Sequence, residues 1–558
     1  MNPFTKRHAS ARAAVLCLAL VAVCYANSIP NAFILDDILI VAANERIRQV
    51  QPIHFLFQPY WGDISHQGIY RPLTIFSFSV EYAVWQLWTA GFRATNLLLH
   101  ALNGWLVYLI ACGLSVSPLA ALAAAAVYLI HPVQTEAVVS IVGRSELLAA
   151  TFFFTAWLAF RKGRTGWSVA AYFLAMLAKE SAITFPAIAM LEVASSEGGL
   201  RKVKELWRRF GLLAATGAGY LALRFYVLGG LGIPQNGQYL NGSLTLAQRW
   251  ITSGRVFIQY FRLLLVPVTV TGDYDFNSVP IAGFLDWDAW LGLVLVLALI
   301  SAAVLLVKTR PAINLAILFF FVTLLPVSNW IMPIALLMAE RFLYTPVFGF
   351  ALLAGTAWAA VRDQRLRRLI AVGVTTVAVL LCISHNYIWR DTLTFHENAV
   401  RIVPNNARAR LGYGFALLRL NKTSEAQAQF EAGLRIMPRS APLLAGLART
   451  MTRIDNGCGR VRPLLVQALT IEPGQWQSLW VLGDCLRMEG KTEQAEQTYG
   501  LAVQNADFPD AELLSSWAQI LETMDKTPTA VALYERAALI APNDERFKAK
   551  LRQLTPAH

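Results

Sequence analysis

The chain has 558 residues, of which 56% are hydrophobic and only 15% charged, against about a quarter charged in soluble domains. That balance excludes an ordinary soluble enzyme, and the 16 Trp, 17 Tyr and 30 Phe exclude the low-hydrophobicity composition of a disordered chain. The formal net charge of +13 does not mark a nucleic-acid binder, because the basic residues gather beside apolar segments, near 6–12, 161–164, 201–209, 308–310 and 362–368. Such clusters signal membrane topology.

In chain order, the apolar runs predict spans near 14–28, 92–114, 117–131, 146–160, 167–179, 182–195, 210–228, 288–307, 311–327, 342–361 and 369–385, eleven in all. The first is expected to be retained, since Val23 before Cys24 suits processing poorly and further apolar runs follow. Placing all five basic clusters in the cytoplasm puts the loops near 29–91, 131–145, 229–287 and 328–341 on the opposite face. An odd number of spans then gives a cytoplasmic N-terminus and exports everything after about residue 386. The run near 255–268 contains Arg255 and Arg262 and ends at Pro267, so it is expected to be interfacial or re-entrant.

The tail is polar and helical in period. Pro404, Pro438, Pro473, Pro509 and Pro542 fall at intervals of 34, 35, 36 and 33 residues, the period of a tetratricopeptide array. Gly414, Ala426, Phe430 and Pro438 occupy the small, small, aromatic and proline places of one repeat; Gly483, Ala495 and Tyr499 do so in the third, and Trp517, Ala530, Tyr534 and Pro542 fit the fourth. Four repeats are expected, with a leading half-repeat at 388–403 and a polar cap at 543–554. The expected fold is all-α: a polytopic membrane domain over 1–386 and an exported tetratricopeptide α-solenoid over 387–558. Cys458 and Cys485 are the tail's cysteines and are predicted to form a disulfide between neighbouring repeats, as an oxidising compartment permits.

Chemistry is concentrated on the loops of the non-cytoplasmic face. Phe33-Ile34-Leu35-Asp36-Asp37 follows the first span, and a carboxylate held at a membrane exit can serve as a base; the bland alternative is a solvated or helix-capping pair. Downstream stand Trp61-Gly62-Asp63, Tyr70-Arg71-Pro72-Leu73, Asn96 with His100, His131-Pro132 with Glu136, Gly143-Arg144, Lys179-Glu180, and Ala339-Glu340-Arg341-Phe342-Leu343-Tyr344. Several cations beside acids suit an anionic lipid-linked substrate, since guanidinium matches phosphate bidentately. Taken singly they read as snorkelling cations or interhelical hydrogen bonds. Asp36, Asp37, Asp63, Asp273 and Asp275 are conceivable oxygen ligands, but no metal site and no cofactor are expected.

The ordered set F-x-x-DD, WGD, YRPL, N-x-x-x-H, HPVQTEAV-x-x-x-GR, AKE, SN-x-x-x-P and AERFLYTP, followed by the repeats, resembles the transmembrane and tetratricopeptide-repeat-containing O-mannosyltransferases. These are multispanning glycosyltransferases of the GT-C class. The resemblance implies transfer of mannose from a polyprenyl-phosphate carrier to Ser or Thr hydroxyls of exported proteins, with Asp36 as the base of an inverting reaction and Asp37 beside it. Arg71, Arg144, Arg341 and Tyr344 are the residues expected at the carrier phosphate, with His100, His131, Glu136, Lys179 and Glu180 as further site residues. The short loops and the shorter array, relative to animal members, suggest a bacterial inner-membrane enzyme using undecaprenyl phosphate, its repeats holding the acceptor. Two alternatives stay open: an oligosaccharide transferase or ligase, and a non-enzymatic envelope scaffold. Neither involves nucleic acid.

Overall fold

The computed structural model describes residues 3–62, 68–114, 116–196, 198–230, 244–274, 278–331, 333–334, 336–455, 457–506, 509–541 and 544–555. Among them the regular structure is helical throughout, with no strand. The chain divides into two units, one of residues 1–34 and 46–391, the other of residues 35–45 and 392–558.

In the first unit every predicted apolar run is helical. Among the described residues six helices are long and apolar enough to cross a membrane: His8–Ser28, Thr89–Gly113, Ile141–Arg161, Trp207–Leu228, Trp287–Leu306 and Gln364–Ile388. Pro118–Ile130 and Pro132–Val139 form a pair bent by 50°, as expected where proline removes a backbone donor. Thr165–Ala178, Pro311–Val327 and Val347–Ala360 are shorter apolar helices, and Phe185–Ala194 is shorter still. The protein is therefore a membrane protein. Leu246–Leu265, opened by a Thr245–Gln248 capping box, is not among the apolar spans.

Close helix approach depends on small residues, as in other membrane bundles. A Cβ on Gly254 would collide with the Ala289 carbonyl and one on Gly292 with the Gly254 carbonyl, so these two helices touch backbone to backbone. Elsewhere aromatic rings fill the core: Trp157 stacks on Phe319 with centroids 5.5 Å apart, and Phe348 lies 4.7 Å from Phe319. The final span continues past residue 386 because its end is tied to the first helix. Asn386 Nδ2 donates to the Cys24 carbonyl (2.7 Å), Asn31 Nδ2 donates to the Asn386 carbonyl (3.0 Å), and the Ala32 amide donates to the Arg390 carbonyl (3.0 Å).

The second unit contains the helix pairs the period predicts: Ala407–Arg419 with Thr423–Ile436, Ala441–Asp455 with Arg462–Ile471, Trp476–Met488 with Thr492–Asn505, and Ala511–Thr523 with Thr527–Ile540. Thr392–Ile402 precedes them and Glu545–Leu554 follows. The motif's small residues have a steric cause, since a Cβ on Gly414 would lie 2.6 Å from the Phe430 ring and one on Gly483 would lie 2.7 Å from Tyr499. Pro542 lies outside the described residues. Cys458 and Cys485 are disulfide-bonded, with Cα atoms 5.5 Å apart across 27 residues. Their replacement by serine is expected to cost the repeat unit about 2–4 kcal/mol. Denaturant titration with and without reductant measures this, and identical midpoints would contradict it.

Candidate functional site

At the end of the first unit away from its basic clusters, predicted site residues assemble as carboxylate–cation pairs. Pro72 opens the helix Pro72–Trp85 at its first turn, where its missing N–H costs nothing. Arg71, just before it, grips Glu180 bidentately, Nε to Oε2 at 3.1 Å and Nη2 to Oε1 at 2.7 Å, and its guanidinium lies 5.6 Å from the Tyr60 ring centre. Burial alone would raise the Glu180 carboxyl, but Arg71 overrides it, with Arg224 and Lys179 adding to the effect, and holds it well below the usual carboxylate range. Lys179 pairs with Glu146 and lies 5.1 Å from the Phe342 ring centre. Arg341 stands at the same ring at 5.6 Å, so Phe342 is flanked by two cations. The Arg341 guanidinium pairs with Glu136 Oε1 and its amide donates to Glu136 Oε2 at 2.8 Å.

Arg341 keeps 33% of its side chain exposed, whereas Arg144 keeps 1%. Arg144 pairs with Glu81 at 2.9 Å, donates Nε to Asn96 Oδ1, and donates Nη2 to the Phe92 carbonyl at 2.8 Å. Asn96 in turn donates to the Ser140 carbonyl at 2.9 Å. This guanidinium is consumed inside the protein, so its geometry is that of a frame-holding residue and not of a ligand contact. Tyr344 is likewise fully buried. His100 Nε2 faces the Leu129 carbonyl at 3.0 Å and must donate, leaving Nδ1 to accept from the Tyr344 hydroxyl at 2.8 Å. Asn103 completes the chain by donating to that hydroxyl at 3.0 Å.

His131 and Glu136 part company at the Pro132 break. His131 Nε2 donates to the Leu264 carbonyl at 3.0 Å and Nδ1 accepts from the Val133 amide, while Glu136 serves Arg341. Asp36 and Asp37 belong to the other unit. There Leu35 takes a left-handed φ of +49°, unusual for a residue with a Cβ, and turns the chain just before the pair. Asp36 is half-buried and Asp37 buried at the head of the turn Ile38–Ala42. Asp63 and Asp275 lie outside the described residues. Among the described residues no three of His, Cys, Asp or Glu are grouped to hold a metal.

The sequence reading passed over Glu81, Glu146 and Arg224, and it quoted Glu340 and Phe342 without a role. Glu340 is buried, and its Oε1 accepts from the Thr271 amide at 2.9 Å and the Tyr274 hydroxyl at 2.6 Å. Burial first, and the neighbouring Glu136 second, push its carboxyl well above the usual range.

A span bundle followed by a tetratricopeptide solenoid defines the class of protein. No family model matches the chain. Its homologues are protein O-mannosyl-transferases of the TMTC family. The chain is 25% identical to protein O-mannosyl-transferase TMTC3 of Mus musculus, over 95% of this chain and 64% of that protein. It is 26% identical to Tmtc3 of Drosophila melanogaster, over 79% and 57%. It thus spans about three fifths of the length of these curated relatives. Among solved structures, a tetratricopeptide protein of Thermus thermophilus is 19% identical over 34% of this chain and 93% of that one, with a TM-score of 0.25.

Because Glu340 binds its proton more tightly folded than unfolded, its contribution to stability is present below the ordinary carboxylate range and is lost as pH rises through the raised folded value. Glu340→Gln keeps the acceptor for Thr271 and Tyr274 and cannot ionise. The variant is expected to lose less thermal stability than the wild type as pH rises from the ordinary carboxylate range through the raised folded value. Parallel melting-temperature profiles for the two proteins would contradict this.

Proposed function

We propose that the chain is an integral membrane transferase that moves mannose from a polyprenyl-phosphate carrier to Ser or Thr hydroxyls of exported proteins. The observation that carries this is the similarity, over 95% of the chain, to a named protein O-mannosyl-transferase. The cations gathered around Phe342 and Glu180 support it, because a leaving phosphate needs such a setting. The proposed setting is a bacterial inner membrane, undecaprenyl phosphate the carrier, the N-terminus cytoplasmic and the repeats outside, where they hold the acceptor polypeptide.

In the proposed reaction Asp36 takes the proton of the acceptor hydroxyl while its oxygen attacks the anomeric carbon. The bond from that carbon to the phosphate oxygen breaks, its electron pair leaves with the lipid phosphate, and the configuration inverts. Arg341 and Arg71, held by Glu136 and Glu180, are the proposed phosphate contacts, with Lys179 beside them. Arg144, His100 and Tyr344 fix the helices that carry them. Phosphate is already a good leaving group, so the proposal includes no metal.

Asp36→Asn keeps the shape and removes the base, so transfer is expected to fall about 10²–10⁴-fold with donor binding retained, and Asp37→Asn to cost less. An Asp36→Asn rate above about a tenth of wild type would overturn the assignment. Arg341→Ala is expected to weaken binding of the lipid-linked donor. Unchanged donor affinity in a normally folded variant would make Arg341 a purely structural partner of Glu136.

A further inference from the structure

The helix Trp207–Leu228 begins within a basic cluster, and its last turns hold Tyr220 and Arg224, which no motif marked. Tyr220 is fully buried, its ring 6.1 Å from that of Tyr70, whose own hydroxyl donates to the Leu56 carbonyl at 2.7 Å. Among the described residues the Tyr220 hydroxyl has no hydrogen-bond partner. Arg224 donates Nη2 to the Gly68 carbonyl at 3.1 Å, but its buried Nε also has no partner among the described residues. Both groups lie within electrostatic reach of Glu180, whose two oxygens are taken by Arg71.

Buried polar groups are nearly always satisfied, so two orphans in one place call for a missing partner. A guanidinium N–H can only donate, so that partner is an acceptor. Arg71, Lys179 and Arg224 face Glu146 and Glu180 here, which leaves one positive charge over and makes an anion the fitting acceptor. On the same helix Leu221 and Phe225 are exposed, an apolar face that hydrocarbon would cover in a bilayer.

We propose that the phosphate of a polyprenyl-phosphate lipid binds at Arg224 and Tyr220, beside the Arg71–Glu180 pair, with its isoprenoid chain along the Leu221 and Phe225 face of the same helix. This rests on the lipid-linked donor of the proposed reaction and gives that donor its place. It also separates two kinds of arginine in this region. Arg71, a phosphate contact of the proposed reaction, shares its charge with a bidentate carboxylate, whereas no ion pair of Arg224 is found among the described residues.

The test uses the full-length protein in lipid nanodiscs, with undecaprenyl phosphate, undecaprenol and inorganic phosphate as probes. Wild type should prefer undecaprenyl phosphate to both others by about tenfold or more, the scale of one charge-assisted hydrogen bond. Arg224→Gln should lower that affinity about tenfold and leave undecaprenol binding unchanged. Tyr220→Phe preserves the ring and should lower it severalfold with an unaltered melting temperature. Unchanged affinity in both folded variants would overturn the site, as would inorganic phosphate binding as tightly as the lipid. If binding depends on Arg224 but no mannose is transferred from this lipid, the site stands and the transfer reading fails. Transfer that persists with no dependence on Arg224 or Tyr220 removes the site alone.

Discussion

Charge buried at the end of an apolar bundle must be neutralised, and that constraint organises the first unit. Arg71 with Glu180, Lys179 with Glu146, Arg144 with Glu81 and Arg341 with Glu136 each join segments far apart in sequence. Breaking an enclosed pair such as Arg144–Glu81 or Lys179–Glu146 by removing one partner typically costs about 3–5 kcal/mol, because the other charge is left without compensation. The pairs therefore fix how the short helices between the spans sit. They also sort the cations by availability: Arg144 is wholly enclosed, Arg341 keeps an outward edge, and Arg224 retains an unsatisfied donor among the described residues.

The repeat unit obeys a different constraint, close helix contact with an aromatic wedge. Phe430 and Tyr499 occupy the space that Gly414 and Gly483 leave, which is why small and aromatic residues recur at one period. On the first helices of successive pairs Arg449 lies 3.4 Å over the Trp480 ring and pairs with Glu512 at 2.6 Å, while Arg419 reaches Asp510 at 2.6 Å. Charges here cross-link one repeat to another, whereas in the span unit they link loops to helix ends.

These two constraints explain what could be read from sequence. The period and its Gly and aromatic places are local, so four repeats and their helix pairs were legible from residues 404–542 alone. The apolar runs were legible for the same reason. Partnerships were not: Glu136 lies 205 residues from Arg341, and Glu81 sits on the helix Pro72–Trp85 in a stretch read as loop. Arg224 was invisible because one cation in a long apolar run does not disturb the hydropathy that defines it. Charge and placement alone point to Arg144 as they do to Arg341, and placement alone to Tyr344, so only burial separates these two from Arg341.

The central claim is that mannose moves from a polyprenyl monophosphate to a protein hydroxyl. The direct measurement is transfer by the purified full-length protein in nanodiscs, with polyprenyl-phosphate mannose as donor and exported proteins as acceptors, read by peptide mass spectrometry. The account predicts single hexoses on Ser or Thr, with none formed from a nucleotide sugar or an oligosaccharide pyrophosphate. Glycan transfer only from the pyrophosphate donor, or acceptor binding with no transfer from any donor, would contradict it.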